Sequence, residues 1–237
     1  MAEPFHLLDL QGMAIYEQLQ LEEALLRADD RNWCIVNRGS PEGIILGISS
    51  KYVEHINPIM QSAKRVPIIR RCSGGGVVYI DQDTHFYTLI GNRANLPVPC
   101  TPQELLSWSE RLYAPAFKDI SFSLRENDYV IGERKFGGNA QYLCKERWLH
   151  HSSLLWDYRP KKMEYLLMPP KMPTYREKRE HKHFLCRLAD YFPSPEFFQN
   201  QMVAAVGLQY PLIPIDLKDV LPILEKDHRR ATMRLEE

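Results

Sequence analysis

The sequence predicts an α+β fold, a mixed and mainly antiparallel sheet flanked by helices. Three observations lead there. Between about Arg70 and Asp157, strand-like runs outnumber helical patterns. Several connections between those runs are short enough for hairpins, which join antiparallel neighbours. Finally, 237 residues, 44% hydrophobic and 25% charged, make an ordinary globular composition able to bury a full core.

The elements follow in order. From Ala14 to Ala28, Ile15, Leu19, Leu25 and Leu26 fall near one helical face, with Glu17, Glu22, Glu23 and Arg27 elsewhere, which predicts a first helix. Asp29-Asp30-Arg31-Asn32 ends it. Trp33 to Val36 and Gly43 to Ile48 read as buried strands flanked by turn residues. Pro67 to Arg71 is a third, running straight into Gly74-Gly75-Gly76; Val77 to Ile80 and His85 to Ile90 continue extended. Pro102 to Phe117 is helical, with Thr101 as N-cap, Pro102 in the first turn and Glu104 as the third residue of a capping box. Asp128 to Ile131 is a strand that turns at Gly132-Glu133-Arg134 into Lys135-Phe136-Gly137-Gly138, and Trp148 to Trp156 is another. Beyond Arg159 the character changes. Met168 to Pro173 is a proline-rich bend, Arg176 to His183 a charged run expected to be a solvated helix face, and Glu196 to Val206 a short helix. Glu225 to Glu237 is a charged tail.

Bulk properties exclude several classes. Lys plus Arg and Asp plus Glu both total 30, so the net charge of +0 argues against a long nucleic-acid surface. No apolar run approaches the ~20 residues of a membrane span. The N-terminus lacks the basic and apolar regions of a secretory signal, and five scattered cysteines without a CxxC fit free thiols in a reducing compartment. The expected location is the cytoplasm.

Three constellations carry chemistry. In Arg70-Arg71-Cys72-Ser73-Gly74-Gly75-Gly76, consecutive glycines forgo packing, which a chain tolerates where backbone must approach a ligand or curl around an anion. The arginines add forked donors suited to phosphate or carboxylate. A tight bend with surface arginines is the alternative; no Gly-Lys-Ser/Thr follows, so this is not a Walker loop. In Gly132-Glu133-Arg134-Lys135-Phe136-Gly137-Gly138-Asn139-Ala140, a lysine precedes small residues, an arrangement able to place an ammonium over bare backbone; an exposed hairpin lysine is the plain alternative. In His150-His151-Ser152-Ser153, strand alternation lets only one histidine face a given site.

The order Arg-Arg-Cys-Ser-Gly-Gly-Gly, then Asn127-Asp128-Tyr129-Val130, then Gly-x-Arg-Lys-Phe-Gly-Gly-Asn-Ala, then His-His-Ser-Ser-Leu-Leu resembles the lipoate–protein ligase A family. The resemblance covers roughly residues 10 to 160 and includes the first helix. It implies the fold of biotin and lipoate protein ligases, with residues 1–165 as the catalytic core and 166–237 as a C-terminal extension of the same domain without a full accessory domain. It implies ATP, magnesium and lipoate as cofactor and substrates. The acid would attack the α-phosphate to give lipoyl-adenylate and pyrophosphate, and an acceptor lysine would then take the acyl group.

By the same resemblance, Lys135 is the catalytic lysine. Arg71, Ser73 and the backbone of Gly76-Val77-Val78-Tyr79 hold the nucleotide, while Gly74 and Gly75 make room for the adenylate. Asn127 and Asp128 place the adenylate or a magnesium ion, Gly137, Gly138 and Ala140 wall the acyl slot, and His151 lines it. Acceptors would be the lipoyl domains of 2-oxoacid dehydrogenase acyltransferase subunits or the glycine-cleavage H protein, with a separate accessory polypeptide as a further partner. Ile80 and Asp83-Thr84 depart from the family's usual His-Asp and Gly-Asn, and Ser152 stands where glycine is usual. An octanoyl or lipoyl transferase using an acyl-carrier thioester or a preformed adenylate as donor, and lipoate binding without catalysis, are the alternative functions. Cys100 and Cys144 are the nearest thiols for the former.

Overall fold

The computed structural model describes residues 2–169 and 172–235. Pro170 and Lys171 of the expected bend, and Glu236 and Glu237 of the charged tail, lie outside them. The strands are β1 (Phe5–Gln11), β2 (Asn32–Arg38), β3 (Gly43–Leu46), β4 (Ile68–Arg70), β5 (Val78–Ile80), β6 (Thr84–Asn92), β7 (Phe122–Arg125), β8 (Asp128–Ile131), β9 (Arg134–Leu143), β10 (Arg147–Leu155), β11 (Leu212–Pro214) and β12 (Met233–Leu235). The helices are α1 (Ile15–Ala28), α2 (Tyr52–His55), α3 (Pro58–Ala63), α4 (Pro102–Tyr113), α5 (Pro160–Met163), α6 (His181–Phe184), α7 (Pro195–Gly207) and α8 (Leu217–Val220).

Eight strands form one sheet in the order β11-β1-β2-β6-β10-β9-β8-β7, and four form a second in the order β12-β4-β3-β5. In the large sheet only β1 pairs in parallel, with β2 and β11; the remaining neighbours are antiparallel. The predicted class holds. Apolar side chains on one face of the large sheet, among them Phe136 and Leu154, pack under α4 and α7 through Trp108, Leu112, Phe198 and Met202. On the other face, Trp33, Ile35 and Ile90 pack under α1 through Leu21, Leu25 and Leu26. Thr101 caps α4 as expected, its Oγ1 accepting from Glu104 N at 3.3 Å, and Pro102 occupies the first turn.

The turn expected at Gly132-Glu133-Arg134 joins β8 to β9, which begins at Arg134 and carries Lys135 to Gly138, with a register shift between Tyr129 and Val130. Two expectations need correction. The run Arg176–His183 is not a solvated helix: Glu177 and Lys178 have φ of 51° and 61°, only His181–Phe184 make a helical turn, and Arg176 is buried. Glu22 and Glu23, read as lying on the polar side of α1, are both buried. Each has partners that compensate for the loss of water.

Candidate active site

The two sheets and α1 enclose a cleft of about 840 Å³. That is toward the upper end of the ~300–1,000 Å³ usual for small-molecule sites and suits an extended ligand. On α1, Ile15, Leu19 and Glu22 fall on one stripe at successive turns and line it together. Ile45, Val78, Phe86 and Leu155 add apolar wall from the strands.

The glycine bend forms one rim. Arg71 is buried, and its guanidinium donates to the carbonyls of Gly74 (Nη2, 2.9 Å) and Gly76 (Nη2, 2.9 Å). Burial pushes its pKa down to about 10, still far above neutrality. Arg71 therefore shapes the bend from inside. Gly75 sits at φ 105°, where a Cβ would lie 2.8 Å from Arg71 Nη2 and 3.2 Å from Ala140 Cβ. Gly47, which the sequence did not single out, is equally constrained: a Cβ there would stand 2.1 Å from the Gly75 carbonyl oxygen. The bend is tied down by Gly74 N donating to Gln141 O (3.2 Å) and Ile48 N to Ser73 O (3.0 Å).

Across the cleft, β9 and β10 present Gly138, Ala140, His151 and Ser153 on one face, because Ala140 pairs with His151 and Gly138 with Ser153. Lys135 reaches onto this face: a Cβ on Gly138 would lie 3.4 Å from its Nζ. Lys135 Nζ pairs with Asp128 Oδ1 at 2.8 Å, and Tyr175 OH donates to Asp128 Oδ2 at 2.8 Å. Tyr175 belongs to a strap laid over this end, held where Glu126 accepts from Thr174 N (2.6 Å) and Tyr175 N (3.3 Å). The strap brings Arg176 and His181 to the cleft wall. Burial, then the charges of Arg176 and Lys135, push the His181 pKa down to about 4, so it is neutral at pH 7.

His151 faces the cleft while His150 lies on the opposite face, buried, as strand alternation required. His151 Nδ1 is 3.0 Å from Glu22 Oε2, and Glu22 Oε1 accepts from Gln18 Nε2 and Thr88 Oγ1, each at 2.7 Å. Ser73 Oγ lies 3.4 Å from His151 Nε2.

Of the residues expected at the site, Arg71, Gly74 to Tyr79, Asn127, Asp128, Lys135, Gly138, Ala140 and His151 line this one cleft. Ser73 and Gly137 do not. Gly137 faces inward, where a Cβ would stand 2.6 Å from Leu154 Cδ2, so its role is packing. Ile80 is also off the wall, buried among Ile15, Leu19, Ile45 and Phe86, and Thr84 lines the cleft instead. Glu22, Glu126, Tyr175, Arg176 and His181 were missed. Only the charge run around Arg176 marked any of them in the sequence. Cys100 and Cys144 are not on the wall, and all five cysteines are free. No group of three His, Cys, Asp or Glu side chains among the described residues is arranged to hold a metal. No helix there is long and apolar enough to cross a membrane.

Comparison with known proteins agrees with this architecture. The family model of the lipoyl protein ligase A/B catalytic domain matches residues 14–207. The inactive lipoate–protein ligase 2 of Plasmodium falciparum is 27% identical over 84% of this chain and 68% of its own length. Lipoate-protein ligase A of Blochmanniella floridana is 27% identical over 70% of this chain, which spans 49% of that protein. Among solved structures, lipoate-protein ligase A bound with ATP superposes with a TM-score of 0.77 at 15% identity, covering 95% of this chain and 93% of that one. A bi-partite ligase from Thermoplasma acidophilum, studied with its E2 lipoyl domain, gives 0.78 at 15% identity over 95% and 91%. With the catalytic-domain match spanning most of its length, the chain belongs to the lipoyl protein ligase A/B family.

Proposed function

We propose that the protein activates lipoate with ATP as lipoyl-adenylate and transfers the lipoyl group to a lysine of a lipoyl-domain acceptor. The single observation that carries the reading is the convergence of the Lys135 ammonium and the glycine bend on one cleft. The N–H groups of Gly75, Gly76 and Val77 make no hydrogen bond to other described residues, which leaves them to the phosphates. The acyl chain lies along Ile15 and Leu19, where each buried methylene contributes about 0.8 kcal/mol. Lys135 leaves Asp128 for the carboxylate and α-phosphate oxygens as charge builds between them, and in the second step polarises the carbonyl under attack by the acceptor amine. Asp128, with Tyr175 behind it, holds Lys135 in place between these events.

Asp128 is a poor fit as a direct magnesium ligand, since both its carboxylate oxygens already have protein partners. No step here runs through a metal. Magnesium would enter with the nucleotide phosphates.

A second reading, acyl transfer from a carrier thioester, draws on the Ser73–His151–Glu22 line. It is weaker. Ser73 is buried behind the cleft wall, and burial pushes the thiols of Cys34 and Cys72 up to about 12. The Plasmodium relative's description as inactive gives a third outcome, binding without chemistry. One experiment separates the three: the protein with lipoate, ATP, magnesium and an apo lipoyl domain. Pyrophosphate and lipoylated domain support adenylation. A requirement for acyl-carrier protein supports the thioester route, and lipoate binding with neither product supports a binding protein. The glycine-cleavage H protein as second acceptor, and an added accessory polypeptide, are tested by supplying each.

A further inference from the structure

Glu23 is a buried carboxylate that the proposed chemistry does not use. Its neighbour Glu22 turns to His151 at the cleft, whereas Glu23 points to the C-terminal segment. Its two oxygens accept from Ala231 N at 3.0 Å each, Oε2 also accepts from Thr232 N at 2.8 Å, and Oε1 pairs with Arg27 Nε at 2.9 Å. Such charge-assisted bonds inside the protein are the strong kind.

Immediately after this anchor comes β12, which pairs with β4 so that Met233 stands opposite Arg70. Arg70 is the last residue before Arg71 and the glycine bend. The guanidinium of Arg234 also covers the Tyr16 ring on α1 at 4.6 Å. The strand that delivers the bend is thus gripped from both sides. On one side β3 and the Gly47–Ser50 turn hold it, with Arg71 N donating to Leu46 O (3.0 Å) and Arg70 Nη1 to Ser50 O (2.8 Å). On the other side β12 holds it, anchored by Glu23. Without β12, β4 becomes a free edge of the small sheet, and an edge strand loses half of its ladder.

We propose that Glu23 is a positioning residue for the acyl-nucleotide: it fastens the C-terminal strand, which sets the shape of the Arg71–Gly76 bend and so the affinity of the cleft. The inference rests on the adenylate reading above for the identity of the ligand. Glu23 itself touches no ligand.

The test uses Glu23→Gln, which keeps the side-chain length and an acceptor but loses the charge, and Thr232→Pro, which leaves Glu23 in place and removes the shorter of the two N–H contacts it accepts. Titration with a non-reactive lipoyl-sulfamoyl adenosine should show each single variant binding roughly tenfold more weakly than the full wild-type chain. The double variant should fall short of the sum of the singles, because both loosen the same anchor. KM for ATP and lipoate should rise with kcat largely kept, since Lys135 is untouched. Amide hydrogen exchange should quicken at Ile48, Arg71 and Gly74, whose N–H groups hold the bend, while β6 and β10 stay protected.

Unchanged affinity and unchanged exchange at the bend would overturn the proposal, as would a fall in melting temperature alone with KM unaltered. If the wild type fails to bind the analogue, the adenylate reading fails instead, and exchange at the bend still decides what Glu23 does. Should Glu23→Gln prove too unstable to purify, Thr232→Pro carries the same measurements.

Discussion

Replacing Gly75 by alanine asks the bend to carry a side chain where none fits. At φ 105° a residue with a Cβ is strained, typically by about 1–3 kcal/mol. The new methyl would also lie 2.8 Å from Arg71 Nη2, so the guanidinium must shift and forfeit at least one of its bonds to Gly74 O and Gly76 O. A bond from a charged donor contributes about 1.5–3 kcal/mol, and buried Arg71 has no water to replace it. Together the cost is about 2.5–6 kcal/mol. At ~2–4 °C per kcal/mol for a domain of this size, Tm should fall by roughly 5–24 °C. The neighbours supply the control. A Cβ on Gly76 meets nothing within 4 Å, and one on Gly74 meets only Gln141 O at 3.9 Å. Thermal unfolding by circular dichroism should therefore rank Gly75→Ala far below Gly74→Ala and Gly76→Ala, which stay near wild type. Three equal shifts would refute the reasoning, because they would mean that the bend tolerates a Cβ equally everywhere.

Other perturbations follow from the same geometry. Tyr175→Phe removes the hydroxyl that holds Asp128 and should cost about 1.5–3 kcal/mol in urea unfolding; a loss under half a kcal/mol would exclude that bond as a stabiliser. Gly137→Ala drives a methyl to 2.6 Å from Leu154 and should cost about 1–3 kcal/mol, measurable in the same assay with cleft binding unaffected. Acid should destabilise the fold through two buried histidines. Burial pushes His150 down to about 3 and His85 to about 4, below the unfolded value of 6.5. Between those values the unfolded chain binds more protons than the folded one, so stability falls as pH drops from 6.5 toward 4, by up to about 1.4 kcal/mol per pH unit for each ring. His150→Gln should flatten the slope of unfolding free energy against pH; an unchanged slope would exclude that ring as a contributor.

How much of this was legible beforehand depends on the range of the interactions. The helix cap at Thr101, the strands around β6 and β10 and the outward turn of one histidine of the pair are local consequences of residue type and period, and the sequence displays them. The triple glycine stood out because consecutive glycines forgo packing, and Lys135 through the ordered motifs that resemble the lipoate–protein ligase A family. What stayed hidden is long-range. Glu22 and Glu23 look like solvent-facing residues of an amphipathic helix until His151 and Thr232, far away in the chain, arrive to satisfy them. Arg176 sat in a charged run whose composition suits solvent, yet left-handed Glu177 and Lys178 turn that run back over the cleft. The roles of Ile80 and Gly137 also needed the structure, because pattern alone does not say which of two apolar faces a wall residue joins.

The most direct test of the central claim is single-turnover chemistry by Lys135→Ala, with lipoate binding measured in parallel. Lipoate should still bind, while formation of lipoyl-adenylate and transfer to an apo lipoyl domain should each slow by roughly 10²–10³, the usual loss for a donor aimed at developing charge. Both half-reactions proceeding at wild-type rates would contradict the account, because the ammonium over Gly138 would then have no part in the chemistry.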